Sequence, residues 1–164
     1  MEALWTPAYI AVGSNLDDPA TQVQRGLDAL AGLPGCKQIA RSRLYRSAPL
    51  GRQDQPEFVN AAAGILTQLS PRELLVALKQ LEMTLGRQPP IERWGPRRID
   101  FDLIVYGAEV VNETDLVIPH PGAPVRNFVL YPLLDIAPEL TVPGHGRVRV
   151  LAERVGSSGL APIG

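Results

Sequence analysis

Asp100-Phe101-Asp102-Leu103-Ile104-Val105-Tyr106 reads as a β-strand that Gly107 breaks. Alternate strand residues share a face, so the two carboxylates point the same way, about 6.5 Å apart along the chain. Ile104 and Tyr106 are expected to continue that face. A simple edge strand with one wet face would carry polar residues further along, and aspartate disfavours strands. The pattern therefore favours a pair of oxygen ligands for a divalent ion.

Moving outward, Arg87 to Ile99 holds three prolines, one glycine and four arginines, with Trp94 among them. Bare arginine clusters are usually solvated surface. Here they stand beside a candidate metal site, on a segment long enough to act as a lid, and their forked donors match phosphate oxygens. Metal plus arginine is the combination that phosphoryl transfer requires, because its transition state needs charge neutralisation more than covalent help. Ser70-Pro71-Arg72-Glu73 is a capping box with proline at the first helical position. Leu74, Leu78, Leu81 and Leu85 continue the helix until Gly86.

Further out, Tyr9 to Val12 reads as a buried strand leaving through Gly13-Ser14-Asn15, taken as a plain strand-to-helix turn. Asp17, Asp18 and Pro19 predict an N-cap, and Val23, Leu27 and Leu30 a helix that stops at Pro34-Gly35. Gln38 to Ser47 and Phe58 to Leu69 read as two strands around a polar turn. Val110-Val111 starts a hairpin arm, and Asn127 to Ile136 contains a short helix constrained by Pro132. The remainder is expected to pack at the edge. The order β-α-β-β-α-β with short connections predicts an α+β, ferredoxin-like sandwich with a mainly antiparallel sheet flanked by helices, in one domain spanning 1–164.

The chain has 164 residues, 45% hydrophobic and 20% charged, with a formal net charge of -1. That balance gives no global attraction to nucleic acid or anionic membrane. Cys36 is alone, so an internal disulfide or thiolate metal site is excluded. Without a signal-like start or a membrane-length apolar run, a cytoplasmic protein is expected. No G-x-x-x-x-G-K-[ST] loop is present, and no G-x-G-x-x-G follows a strand, so the chain is neither P-loop nor protein-kinase-like.

Four blocks together resemble the 6-hydroxymethyl-7,8-dihydropterin pyrophosphokinases of folate biosynthesis. They are Tyr-Ile-Ala-Val-Gly-Ser-Asn-Leu from Tyr9, Pro-Leu-Gly-Arg-Gln-Asp-Gln-Pro-Glu-Phe-Val-Asn-Ala-Ala from Pro49, Glu-Arg-Trp-Gly-Pro-Arg-Arg-Ile-Asp-Phe-Asp from Glu92, and Ile-Pro-His from Ile118 through Arg126 and Phe128. The resemblance spans about Tyr9 to Leu140. It implies transfer of the β,γ-diphosphate of ATP to the pterin hydroxymethyl, releasing AMP, with two magnesium ions held by Asp100 and Asp102. It also implies that Arg87 and Arg97 contact phosphates and that Trp94 helps close the site. Phe58 and Phe128 would sandwich the pterin, Asn60 would read its edge, and the backbone at Ser47 and Leu50 would border it. Glu82, His120 and Arg126 match nucleotide-side positions, with Leu103, Leu116 and Val117 lining the adenine.

Some positions depart from the family's usual residues. Phe58 stands for a common tyrosine, Phe101 for an aliphatic residue, Asp115 for an arginine in some members, and Pro121 for a frequent tyrosine. Pro89 and Pro90 stand where some members are basic. Asp100 is the candidate to receive the hydroxymethyl proton. Two other readings are open at this point: a two-metal nucleotidyltransferase or phosphatase, and a non-enzymatic nucleic-acid-binding module on the same kind of sheet. The pyrophosphokinase reading predicts small-molecule partners only and a monomer.

Overall fold

The computed structural model describes residues 4–16, 18–47, 57–86 and 99–163. In chain order the elements are β1 (Thr6–Ser14), α1 (Pro19–Ala31), β2 (Cys36–Arg41), β3 (Leu44–Ser47), β4 (Phe58–Thr67), α2 (Pro71–Gly86), β5 (Asp100–Tyr106), β6 (Val111–Glu113), β7 (Leu116–Ile118), α3 (Asn127–Ile136), β8 (Thr141–Val142), β9 (Gly146–Arg147), α4 (Val148–Val155) and β10 (Leu160–Ile163). The main sheet runs β10-β3-β4-β1-β5, with β2 also on β4. Every pairing in it is antiparallel. The expected α+β sandwich is the fold observed.

Strand alternation sends successive residues to opposite faces, and each face has its own core. On one side Ile10, Val12, Ile65 and Phe101 pack with Val23, Leu27 and Leu30 of α1 and Leu74 and Leu78 of α2. On the other, Ala62, Ile104 and Val105 meet Val129, Leu130 and Leu133 of α3 and Leu151 and Ala152 of α4. The C-terminal segment therefore does more than line an edge. Its β10 extends the sheet beside β3, while α4 helps bury the second face.

The capping box forms as read: Ser70 N donates to Glu73 Oε1 at 2.9 Å, and Glu73 N donates to Ser70 Oγ at 3.2 Å. At α1, of the two aspartates expected to cap the helix, Asp17 lies outside the described residues and Asp18 makes no side-chain cap hydrogen bond. Asp18 sits at φ 58, and its carboxylate accepts from Thr21 Oγ1 at 2.8 Å instead of from a backbone amide.

The stretch from Gln38 to Ser47 is two strands, not one. At the break Ser42 Oγ accepts from Ala62 N at 2.8 Å, so a side chain takes a ladder position and bends the chain. The β5 reading is right in extent, but a register shift between Tyr9 and Ile10 reverses its far end. Ile104 stays on the aspartate face. Tyr106 joins the α1/α2 core, where its hydroxyl donates to the Leu69 carbonyl at 2.7 Å.

Candidate active site

The register of three strands places the polar residues of the sheet in one row. Asn60 of β4 lies opposite Gly13 of β1, which lies opposite Asp100 of β5. One step along, Ala62, Ala11 and Asp102 form a parallel row. Tyr45 and Ser47 of β3 extend these positions beyond β4, opposite Asn60 and Phe58. All of these are positions on the α3/α4 side. Because Gly13 and Ala11 are small, β1 is a low strip between Asn60 and Phe58 on one flank and the two aspartates on the other. Asp100 and Asp102 are half-buried, and Phe58 is 37% exposed. Paired carboxylates with open access form a hard oxygen donor set of the kind magnesium takes.

The outer edge of β5 would leave backbone groups unpaired, and side chains and a loop satisfy them. Phe101 N, the amide between the two aspartates, donates to Glu82 Oε2 at 2.8 Å. Glu82 belongs to α2, is only 3% exposed, and has Lys79 Nζ 3.6 Å from the same oxygen. Helix α2 is thereby stitched to the strand that carries the carboxylates. Further along, His120 N donates to the Ile104 carbonyl at 3.0 Å, drawing the loop after the cis Ile118-Pro119 bond against the strand.

His120 Nδ1 accepts from Gly122 N at 3.1 Å, so a neutral ring carries its proton on Nε2. Burial pushes the imidazole below its ordinary value; the Asp102 carboxylate pulls it up, and the Arg126 guanidinium pushes it down again. Arg126 lies over Gly122, where an added Cβ would stand 2.6 Å from its Cζ, and its guanidinium is 5.9 Å from the Phe128 ring centroid. Phe128, in the first turn of α3, packs against the second core.

Of the residues expected at the site, Asp100, Asp102, Asn60, Phe58, Ser47 and Phe128 all belong to the α3/α4 side. His120 and Arg126 border it, and Glu82 reaches β5 from its outer edge. Leu103 and Leu116 bury their side chains in the α1/α2 core, while Val117 is exposed. Asp115 and Glu113, on the β6–β7 hairpin, both pair with Arg72 of α2, at 2.7 Å for Asp115. Leu50, Arg87, Trp94 and Arg97 lie outside the described residues, as do Pro89 and Pro90. Sequence reasoning missed Gly13, read as part of a turn although it is inside β1; a glycine continuing an apolar strand was the available signal.

A recess of about 560 Å³ lies elsewhere, between the outer surface of α2 and the end of α1, lined by Leu33, Leu69, Val76, Ala77 and Leu81 among others. It contains none of the expected site residues. The acid pair and the aromatic groups expected at the site are on the other face.

Comparison with known proteins gives concordant results. The family described as 7,8-dihydro-6-hydroxymethylpterin-pyrophosphokinase matches residues 9–138. The chain is similar to a 2-amino-4-hydroxy-6-hydroxymethyldihydropteridine pyrophosphokinase of Pseudomonas aeruginosa, at 46% identity over 135 residues, covering 82% of this chain and 83% of that one. It is 44% identical to the protein of the same name from Haemophilus influenzae over 147 residues, covering 90% and 91% of the two chains. Among solved structures, Plasmodium falciparum HPPK-DHPS wild type with pteroate superposes with a TM-score of 0.74 at 14% identity. That match covers 94% of this chain and 45% of the longer one, so this chain spans a little under half of it; the likeness concerns the fold.

Proposed function

The chain belongs to the 7,8-dihydro-6-hydroxymethylpterin-pyrophosphokinase family, and on that premise we propose that the α3/α4 side of its sheet transfers the β,γ-diphosphate of ATP to 6-hydroxymethyl-7,8-dihydropterin. The observation that carries this reading is the cross-strand row Asn60–Gly13–Asp100, which sets an amide beside a carboxylate pair with only a glycine between them. An amide offers one donor and one acceptor group, suited to a heterocycle's edge.

The hydroxymethyl oxygen attacks the β-phosphorus. The bond from that phosphorus to the α,β-bridging oxygen breaks, AMP leaves with the bridging oxygen, and the hydroxyl proton departs. Asp100 is the group assigned to receive that proton. Asp100 and Asp102 would hold two magnesium ions, which when bound supply charge neutralisation to the triphosphate. Phe58 and Phe128 flank the pterin, Asn60 reads its edge, and Ser47 and Leu50 border it. Glu82, His120 and Arg126 take the nucleotide side, with Leu103, Leu116 and Val117 at the adenine through backbone or exposed atoms. Arg87 and Arg97 bind phosphates and Trp94 shields the reacting groups from water; these three roles rest on the sequence resemblance alone.

The same reading makes the protein a cytoplasmic monomer with a single catalytic domain and no nucleic-acid partner. Among the described residues no helix is long and apolar enough to cross a membrane. The test is product analysis with ATP and the reduced pterin. AMP and pterin diphosphate should appear in equal amounts, and only when both substrates are present. Release of free pyrophosphate or orthophosphate instead would favour a nucleotidyltransferase or phosphatase, and no ATP consumption would leave a binding module.

A further inference from the structure

Gly13 does not occupy the left-handed region where glycine is favoured, so its backbone conformation is open to other residues. Space is the constraint. A Cβ at this position would stand 2.7 Å from Asn60 Oδ1, while its next neighbour, the Val59 carbonyl oxygen, is at an ordinary 3.7 Å. The Asn60 amide thus lies across the sheet, its Nδ2 reaching Ser47 Oγ at 3.4 Å on the β3 side and its Oδ1 resting above Gly13 on the β1 side. The Ser47 contact is long and cannot hold the amide by itself.

We propose that Gly13 is a positioning residue for pterin recognition: the methyl group it lacks is the space in which the Asn60 amide oxygen sits. This rests on the assignment of Asn60 to the pterin edge. An alanine here would leave the strand pairing intact, because the atom that must give way is the far end of a side chain and not backbone. The amide would swing from its place across the row, and its acceptor would no longer be presented at the set angle beside Asp100. The effect belongs to the pterin and not to ATP, since the three atoms nearest an added Cβ belong to Asn60 and Val59 and not to Asp100, Gly13's partner across the row.

The test compares the wild type, Gly13→Ala, Asn60→Ala and the double variant in the full chain. Pterin affinity is measured by equilibrium titration in the presence of a non-hydrolysable ATP analogue, analogue affinity is measured separately, and thermal unfolding is followed for each. Losing one well-placed hydrogen bond corresponds to roughly a tenfold weaker pterin dissociation constant. Gly13→Ala should show about that loss, with analogue affinity and unfolding midpoint close to wild type. In the Asn60→Ala background the same substitution should add nothing. Unchanged pterin affinity in Gly13→Ala overturns the proposal, as does a full second loss in the double variant. Should Gly13→Ala fail to fold, recovery of folding in the double variant supports the contact, and failure of both overturns it. Wild-type pterin binding by Asn60→Ala, with transfer intact, overturns it while sparing the proposed function; absence of pterin-dependent AMP from the wild type sinks that function itself.

Discussion

On the α1/α2 side of the sheet, Ile10, Val12, Ile65 and Phe101 meet Leu27, Leu74 and Leu78 with every one of these side chains fully buried. On the α3/α4 side, neighbouring positions of the same strands hold Gly13, Asn60, Asp100 and Asp102, none of them in the buried apolar core. The strands are shared, so the difference cannot come from strand propensity. It comes from alternation, which lets one sequence segment supply a hydrocarbon core and a wet, chemical surface from adjacent residues. Stability and activity should therefore separate within β5, one residue apart.

The largest effect that would break this comparison is on the acid pair. Asp100→Ala and Asp102→Ala should each abolish transfer, losing more than the ~3–4 kcal/mol typical of one charge-stabilising group, with little change in unfolding midpoint. Paired activity assays and thermal melts check this, and near-normal turnover would remove the carboxylates from the mechanism.

Phe101→Ala should do the reverse. Its side chain is 1% exposed in the first core, so truncation should cost about 3–5 kcal/mol in chemical denaturation. The fraction that stays folded should retain most of its turnover, since the Phe101 amide that bonds Glu82 is unaltered by the change. A stability loss below ~1 kcal/mol would mean that β5 is not anchored from that face.

A smaller effect sharpens the contrast on the second face. There the join between β3 and α3 is polar: Tyr45 Oη donates to Asp135 Oδ1 at 2.8 Å, and Arg43 bonds both carboxylate oxygens. Burial, then the hydrogen bond and charge of Asp135, push the Tyr45 phenol up to about 12 from its ordinary 10. The folded state holds this proton longer than the unfolded one. The contribution is therefore fully present below pH 10 and is lost as pH rises through 12, a span worth about 2–3 kcal/mol. Denaturant titrations between pH 9 and 12 should show that decline in the wild type and a flatter profile in Tyr45→Phe. Parallel profiles would place the alkaline sensitivity elsewhere.

Much of this arrangement is legible in the sequence because it is local. Ser70 to Glu73 specify a cap through side chains three residues apart, and Asp100 to Asp102 declare a shared face by period alone. What escapes is set by partners distant in sequence. Nothing near Tyr106 announces the register shift that turns it into the first core. The break at Ser42 depends on Ala62, twenty residues away, and Asp18 adopts φ 58 where a conventional cap was expected. Gly13 looks like a turn residue until β4 places Asn60 beside it. The family resemblance supplied the expected site residues, but no spacing rule would have shown that Glu82 bonds the amide between the two aspartates.

The most direct test of the two-face account is an amide chemical-shift titration of the whole chain with the reduced pterin and a non-hydrolysable ATP analogue. The account predicts perturbations concentrated at Gly13, Asn60, Asp100, Asp102, His120 and Phe128, with Leu27, Leu74 and Leu78 little changed. Perturbations centred instead on Leu33, Leu69 and Val76, around the recess on the outer surface of α2, would contradict it.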